Sequence, residues 1–132
     1  MKLTRASSYA LQALAHLAAG DGHPLTSHRI ASAYGLPEKF LLKVLRPLVS
    51  AQILRSVKGP NGGYVLARPA REISMLEIVE AVDGPIRGEA PPVGHGTAAA
   101  LDRRLQEQCD AVAVLTRERL GKVSLADLAR AK

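Results

Sequence analysis

The sequence predicts a mainly helical fold that contains one small β-hairpin. Apolar residues recur at helical spacing in most segments, and an Asn61-Gly62 pair separates two short β-prone runs. The chain has three tyrosines, one phenylalanine and no tryptophan, so its core must consist of leucine, valine, isoleucine and alanine. Such a core favours packed helices. The length of 132 residues suits one domain with an appendage.

Three helices are predicted in the first fifty residues. The first spans Leu3–Ala19. The second begins after Thr26, which is a good N-cap, and Gly35 ends it. The third spans about Pro37–Ser50, with the proline at its first position. Pro47 removes one hydrogen bond of this helix and should either kink or end it.

The third predicted helix is amphipathic, with a basic outer face. At about 100° per residue its apolar side comprises Leu41, Val44, Leu45 and Leu48. The opposite side comprises Lys39, Lys43, Arg46 and Ser50, with Phe40 and Leu42 on the two flanks. One face is therefore expected to pack on the core while the other meets solvent or a polyanion.

The hairpin and the remaining helices follow in order. Residues 53–57 and 64–67 are predicted as strands joined by the turn 58–63, and Ser74 with Glu77 forms a capping box that starts a fourth helix. Glycines and prolines in residues 85–97 predict an exposed loop. A long helix over Ala98–Leu120 comes next, and Ser124 caps a short last helix.

The net charge of +6 is distributed unevenly along the chain. Residues 1–71 contain ten Lys/Arg and two Asp/Glu, which gives +8, whereas residues 72–132 contain eight and ten, which gives −2. A basic half indicates a polyanionic partner, either nucleic acid or an anionic membrane surface. No apolar run is long enough to span a bilayer and no signal peptide is visible, and the single cysteine suits a reducing compartment, so a cytoplasmic protein is expected.

A helix, a tight turn and a basic helix followed directly by a glycine-rich hairpin predict a winged helix-turn-helix. In that arrangement the second helix lies in the DNA major groove. Lys39 and Lys43 are then placed to reach guanine edges or phosphates. Further DNA contacts are expected from Lys2, Arg5, Thr26, Ser27, Arg46 and Lys58 and from the free amides of Asn61, Gly62 and Gly63.

The motifs of the chain resemble those of one regulator family over nearly its whole length. They are Tyr9-Ala10-Leu11, Ile30-Ala31, Phe40-Leu41, Lys43-Val44-Leu45, the specific run Ser56–Pro69, and Ile78–Gly84. This pattern resembles the Rrf2 (Rrf-two) family, the IscR, NsrR and CymR type. The resemblance implies a winged helix-turn-helix, a long C-terminal helix that crosses to a partner subunit, palindromic operators and usually repression. It also implies that Lys39, Phe40, Leu42 and Lys43 form the reading surface and that Lys58 leads the wing.

Two departures from the family pattern limit what can be transferred. Cluster-binding members place three cysteines in the loop before the long helix, and here Pro85–Ala100 has none. An iron–sulfur cluster needs several thiolates or comparable ligands, so no cofactor is expected, nor the sensing that depends on a cluster. Leu42 stands at a reading position that is often polar, where it could touch a thymine methyl or flank the core. Operator sequences of relatives therefore do not transfer.

The long helix is expected to form a homodimer. Its apolar stripe comprises Leu101, Leu105, Cys109, Val112 and Leu115. So short a chain cannot bury this stripe alone, and two DNA half-sites require a two-fold protein. Cys109 is interpreted as a small apolar packing residue rather than a redox sensor, because neighbouring Asp110 disfavours a thiolate.

Enzymatic and metal chemistry find no support in the sequence. No phosphate-binding Gly-Lys-Ser/Thr loop, paired carboxylates or nucleophile–base arrangement emerges, and the four histidines lack metal-ligand spacing. The sequence thus predicts a transcription regulator with a DNA-binding domain at 1–84, a loop at 85–97 and a dimerisation unit at 98–132. The alternative is a winged helix that regulates through a partner protein. A small-molecule or protein effector is left open, with the loop as the expected hinge.

Overall fold

A computed structural model describes residues 1–130, with the backbone alone at position 97. Positions 131 and 132 of the predicted C-terminal unit lie outside the described residues. The elements, in chain order, are α1 (Arg5–Ala19), α2 (Ser27–Tyr34), α3 (Glu38–Ser50), β1 (Leu54–Val57), β2 (Gly63–Leu66), a 3-10 helix (Ala70–Glu72), α4 (Met75–Asp83), α5 (Thr97–Gly121) and α6 (Leu125–Ala129). The predicted mainly helical class with one small hairpin is confirmed.

Helix α1 begins two residues later than the sequence predicts. Thr4 is its N-cap, and the Thr4 hydroxyl oxygen accepts a hydrogen bond from the Ser7 amide at 3.0 Å. Leu3 therefore lies before the helix and is exposed. The predicted caps at Thr26, Ser74 and Ser124 are confirmed, and Ser74 forms a complete capping box with Glu77. Pro37 was predicted as the first residue of α3, but it is the N-cap and the helix begins at Glu38.

The core lies where α1, α3 and α4 meet. Leu14 of α1 and Ile78 of α4 are fully buried, as are Leu41, Leu45 and Leu48 along one side of α3. Burial of a leucine side chain contributes roughly 1.5–3 kcal/mol. The inner face of α3 is thus fixed by packing, which leaves its opposite face free.

Pro47 does not end α3. The helix continues to Ser50, and the Ala51 amide donates to the Pro47 carbonyl at 2.9 Å. Proline deprives Lys43 of the amide that would normally bond its carbonyl. Buried Leu48 follows directly and holds the last turn against the core.

The segment between α4 and α5 is tied to α5. The Gln106 side chain accepts from the Ala90 amide at 3.0 Å and donates to the Gly88 carbonyl at 2.7 Å. Asp102 accepts from the Val93 and Gly94 amides at 3.2 and 3.1 Å. The predicted loop is irregular in structure, but side chains of α5 hold its backbone at several points.

Helix α6 packs on the N-terminal domain, a contact that the sequence did not predict. Leu125 is fully buried in the main core. The Leu125 amide donates to the Ile73 carbonyl at 2.7 Å, and the Met75 amide donates to the Val123 carbonyl at 2.8 Å. The chain therefore returns to α1 and α4 after α5.

Candidate nucleic-acid interface

Helices α2 and α3 form a tight helix-turn-helix. Gly35 ends α2 in the left-handed conformation, with φ 64° and ψ 33°. The Leu36 amide then donates back to the Ala31 carbonyl at 2.9 Å. Pro37 precedes α3, and its carbonyl accepts from the Leu41 amide at 3.0 Å. Glycine is required here because a side chain disfavours that conformation.

The outer face of α3 is basic, as predicted. Lys39, Lys43 and Arg46 are exposed, on the side opposite the buried leucines. None of these cations, nor Lys58 of the hairpin, forms an ion pair within residues 1–130. Their charges are therefore available to an anionic partner.

The two flanks of this face carry half-exposed apolar side chains. Phe40 is 36% exposed, and its ring meets Tyr9 of α1 edge-on with centroids 5.2 Å apart. Such a pair contributes about 0.5–1.5 kcal/mol beyond burial. Leu42 is 37% exposed. Phe40 thus holds the start of α3 against α1, while Leu42 offers an apolar contact at the surface.

The hairpin presents Lys58 and Asn61 at its exposed tip. Strands β1 and β2 pair antiparallel, with Val57 opposite Gly63. Residues 58–62 make the turn, and the Gly62 amide donates to the Gly59 carbonyl at 3.0 Å. The expectation of a free Gly62 amide is therefore wrong, because the turn closes on that group.

The base of the hairpin is joined to the start of α2. Leu25 and Tyr64 exchange backbone hydrogen bonds of 3.1 and 2.8 Å. Gly63 has a φ of 146°, and a Cβ there would lie 2.5 Å from the Leu25 carbonyl oxygen. Gly63 is therefore needed for this close approach, and the hairpin is held beside the helix-turn-helix.

The N-terminal cations lie at the entry to α1. Lys2 and Arg5 are both exposed, and Arg5 is the first helical residue. Arg5 lies one turn before Tyr9, whose ring contacts Phe40 of α3. The start of α1 is thus near the start of α3.

The start of α2 contains a contact that the sequence analysis missed. The Thr26 hydroxyl oxygen accepts a hydrogen bond from the Arg29 amide at 3.2 Å, which caps α2. The Ser27 hydroxyl donates to a Glu38 carboxylate oxygen at 3.0 Å. His28 Nδ1 lies 3.4 Å from the other Glu38 oxygen. Glu38 follows Pro37 at the start of the basic helix, and a first-turn acid was the available signal.

The predicted dimer stripe is open in the single chain. Val112 and Leu115 are 60% and 64% exposed, and Leu101 and Leu105 are each nearly half exposed. Cys109 is half-buried. Ala113 and Leu120 lie on the adjacent side of α5 and are buried. Helix α5 therefore packs on its own chain along one face and leaves an apolar face uncovered.

Cys109 lies in a shallow concavity between the loop and α5. Gly88 packs so closely on the backbone of Cys109 and Asp110 that a side chain would not fit. Arg87 and Met1 line the same concavity. The Arg87 guanidinium thus lines the same concavity as the Cys109 thiol, although no cationic residue directly adjoins Cys109 in the sequence.

No group of three metal-ligating side chains occurs in the part of the chain that the structure describes. His16 packs edge-on against Tyr34, with ring centroids 5.3 Å apart. His23 lies 2.9 Å from Asp21 at the exposed turn after α1. Over residues 1–130, no helix is long and apolar enough to cross a membrane.

Comparison with protein families decides the class. The model described as "Rrf2: Iron-dependent Transcriptional regulator" matches residues 3–131. The chain belongs to the Rrf2 family of transcriptional regulators. The resemblance found in the sequence is thereby confirmed, and this family consists of regulators rather than enzymes.

Individual relatives agree with the Rrf2 assignment. The HTH-type transcriptional regulator IscR of Cereibacter sphaeroides is 34% identical over 116 residues, covering 81% of this chain and 75% of the relative. Protein rrf2 of Nitratidesulfovibrio vulgaris is 32% identical over 135 residues, covering 98% and 88%. The structure of CymR, the global cysteine regulator of B. subtilis, matches with a TM-score of 0.77 and 26% identity, covering 98% and 96%. The winged-helix architecture with a C-terminal helix is therefore confirmed.

The residues of this Rrf2 chain do not fit an iron–sulfur cluster. The sequence has one cysteine, Cys109, and the loop that precedes α5 has none. A cluster is held by about four ligands, mostly cysteine thiolates. The donor set is therefore absent from the chain, whatever iron chemistry other members of the family use.

Proposed function

We propose that this Rrf2 protein is a cluster-free repressor that binds a palindromic promoter site as a homodimer. The observation that carries the proposal is the two-sided character of α3. Leu41, Leu45 and Leu48 are buried, whereas on the outer face Lys39, Lys43 and Arg46 are exposed and form no ion pair within the described residues. A helix in the major groove reads DNA with one outward face, and this face has the cations that guanine edges and phosphates require.

The hairpin and helix starts supply the contacts that set register on the duplex. Lys58 at the exposed tip suits a phosphate or the adjacent minor groove. The amides of Ser27 and His28 open α2, and a helix N-terminus favours a phosphate. The Ser27 hydroxyl already donates its hydrogen to Glu38, so Ser27 contributes through its backbone amide. The Thr26 hydroxyl accepts the cap from Arg29 and keeps its own hydrogen for a phosphate.

The exposed face of α5 supports the dimer. Leu101, Leu105, Val112 and Leu115 stay open to solvent along one side of the helix. Contiguous exposed apolar patches mark protein interfaces. A second copy would cover this face, and two-fold symmetry would present two α3 helices to half-sites about 34–36 Å apart.

The test is a titration of fluorescent DNA from upstream of the protein's own gene against a scrambled duplex of equal composition. The proposal predicts that the upstream duplex binds at least about 1,000-fold more tightly, with affinity falling steeply between about 50 and 200 mM salt. Transcription in vitro from the same DNA should fall as the protein is added. Equal, weak binding to both duplexes would favour a winged helix that acts through a partner protein.

A further inference from the structure

Glu38 places a carboxylate at the start of the basic helix. It is the first residue of α3, and its side chain is 43% exposed. The Ser27 hydroxyl donates to Oε2 at 3.0 Å, and His28 Nδ1 lies 3.4 Å from Oε1. The position of this carboxylate is therefore set by two side chains of α2.

A negative charge at this position weakens binding to phosphates unless it has a separate use. A first-turn acid stabilises its own helix, and the Ser27 contact joins α2 to α3. The N-terminal residues of a recognition helix are those that reach base edges, and Glu38 is the first of them.

We infer that Glu38 reads a cytosine in each half-site by accepting a hydrogen bond from its N4 amine. This inference rests on the DNA-binding function proposed above. An ionised carboxylate has about four acceptor positions, and the two contacts from α2 leave acceptor capacity free. In the major groove cytosine presents a donor at its edge, which is the partner that a carboxylate can accept from.

The same carboxylate excludes guanine and thymine, and it disfavours adenine because the N6 donor of adenine lies beside the N7 acceptor. Guanine presents O6 and N7 and thymine presents O4, and these acceptors would face a second acceptor without a proton between them. Repulsive contacts of this kind supply specificity as much as attractive ones do. The expected discrimination against these bases at the one contacted position is roughly 10-fold or more.

The experiment selects binding sites from a pool of random-sequence duplex DNA. It compares the wild type with Glu38→Gln and with Glu72→Gln, which removes an equal charge from the 3-10 helix outside the candidate interface. Glutamine can still accept from Ser27, so α2 and α3 stay joined, but its amide pairs best with adenine. The wild type should enrich one cytosine per half-site, Glu38→Gln should replace it with adenine, and Glu72→Gln should enrich the wild-type motif.

The outcomes separate this inference from the function on which it rests. If the wild type and Glu38→Gln enrich the same motif, Glu38 does not read a base and the inference is overturned. A uniform loss of affinity in Glu38→Gln with an unchanged motif also overturns it, since that result belongs to a structural role. If the wild type enriches no motif, the proposed DNA-binding function itself fails, and the inference fails with it.

Discussion

Gly63 at the start of β2 lies directly against the backbone of Leu25, the second residue before α2. A Cβ at position 63 would come within 2.5 Å of the Leu25 carbonyl oxygen, at a φ of 146°. This approach allows Leu25 and Tyr64 to exchange two backbone hydrogen bonds. The hairpin and the helix-turn-helix are thus joined by main-chain contacts, which hold the hairpin beside the start of α2.

The first prediction concerns this junction. Gly63→Ala should lower the free energy of unfolding by about 2–4 kcal/mol, because it combines backbone strain with a clash. Gly59→Ala is the matched control, since Gly59 also has a positive φ but open space around it. It should cost about 1 kcal/mol. Denaturant unfolding of both variants measures the difference, and equal losses would contradict the account.

The second prediction concerns the contact between α1 and the end of α4. Ser7 is fully buried, and its hydroxyl donates to Asp83 at 2.6 Å. Asp83→Ala should lower the free energy of unfolding by about 1–3 kcal/mol, because it leaves the buried Ser7 hydroxyl without its partner. Ser7→Ala removes the hydroxyl together with its need for a partner and should cost less. Thermal unfolding of both single variants and the double variant tests this, and strictly additive losses would refute the coupling.

The third prediction concerns the open face of α5. Val112→Glu should shift the mass measured by light scattering from twice 14.0 kDa to the single-chain value. The charge would be buried between two copies, which is costly. Val93→Glu is the control, because Val93 is exposed on the loop outside α5. It should leave the mass unchanged, and a wild type that is itself a monomer would remove the basis for a dimer.

The fourth prediction concerns acid stability at the start of α4. Partial burial of Glu77 opposes ionisation, but the Ser74 amide and the Arg68 guanidinium, 2.6 Å away, together lower its pKa below 4.5. A lowered folded-state pKa stabilises the fold above that value, and the contribution is lost as pH falls through the folded pKa. Glu77→Gln keeps the capping box but loses the ion pair with Arg68, so it should lower the free energy of unfolding by about 0.2–1 kcal/mol at neutral pH. The difference in free energy of unfolding between the wild type and Glu77→Gln should disappear below about pH 4.5.

Denaturant unfolding at a series of pH values measures this difference in free energy. Glu72→Gln removes a carboxylate from the neighbouring 3-10 helix and serves as the control, with little effect at any pH. A gap between the wild type and Glu77→Gln that stayed constant from neutral pH into acid would contradict the role given to the Ser74 and Arg68 contacts.

The elements set by local chemistry could be predicted from the sequence. Thr26, Gly35 and the Ser74 capping box act within a few residues, so their effects follow from spacing alone. The faces of α3 follow from helical periodicity, and Lys43 is exposed where that rule puts it. These features gave the class of fold and the basic surface.

The features that could not be predicted from the sequence are contacts between segments that are distant along the chain. The bridge from Leu25 to Tyr64 and the return of Leu125 to the core join residues far apart in sequence. The ion pair of Glu80 with Arg117 likewise requires α4 and α5 to be placed side by side. The Ser27–Glu38 contact was missed because it crosses the turn between two helices, whereas the faces of each helix had been considered separately.

The most direct test of the central claim is the salt dependence of DNA binding by matched variants. Lys43→Ala and Lys58→Ala remove cations from the proposed interface, and Arg119→Ala removes one from the end of α5. The account predicts weaker binding by the first two, with the slope of log affinity against log salt reduced by about one per lost phosphate contact. Arg119→Ala should match the wild type. Identical slopes and affinities in all four proteins would contradict a DNA interface made by α3 and the hairpin.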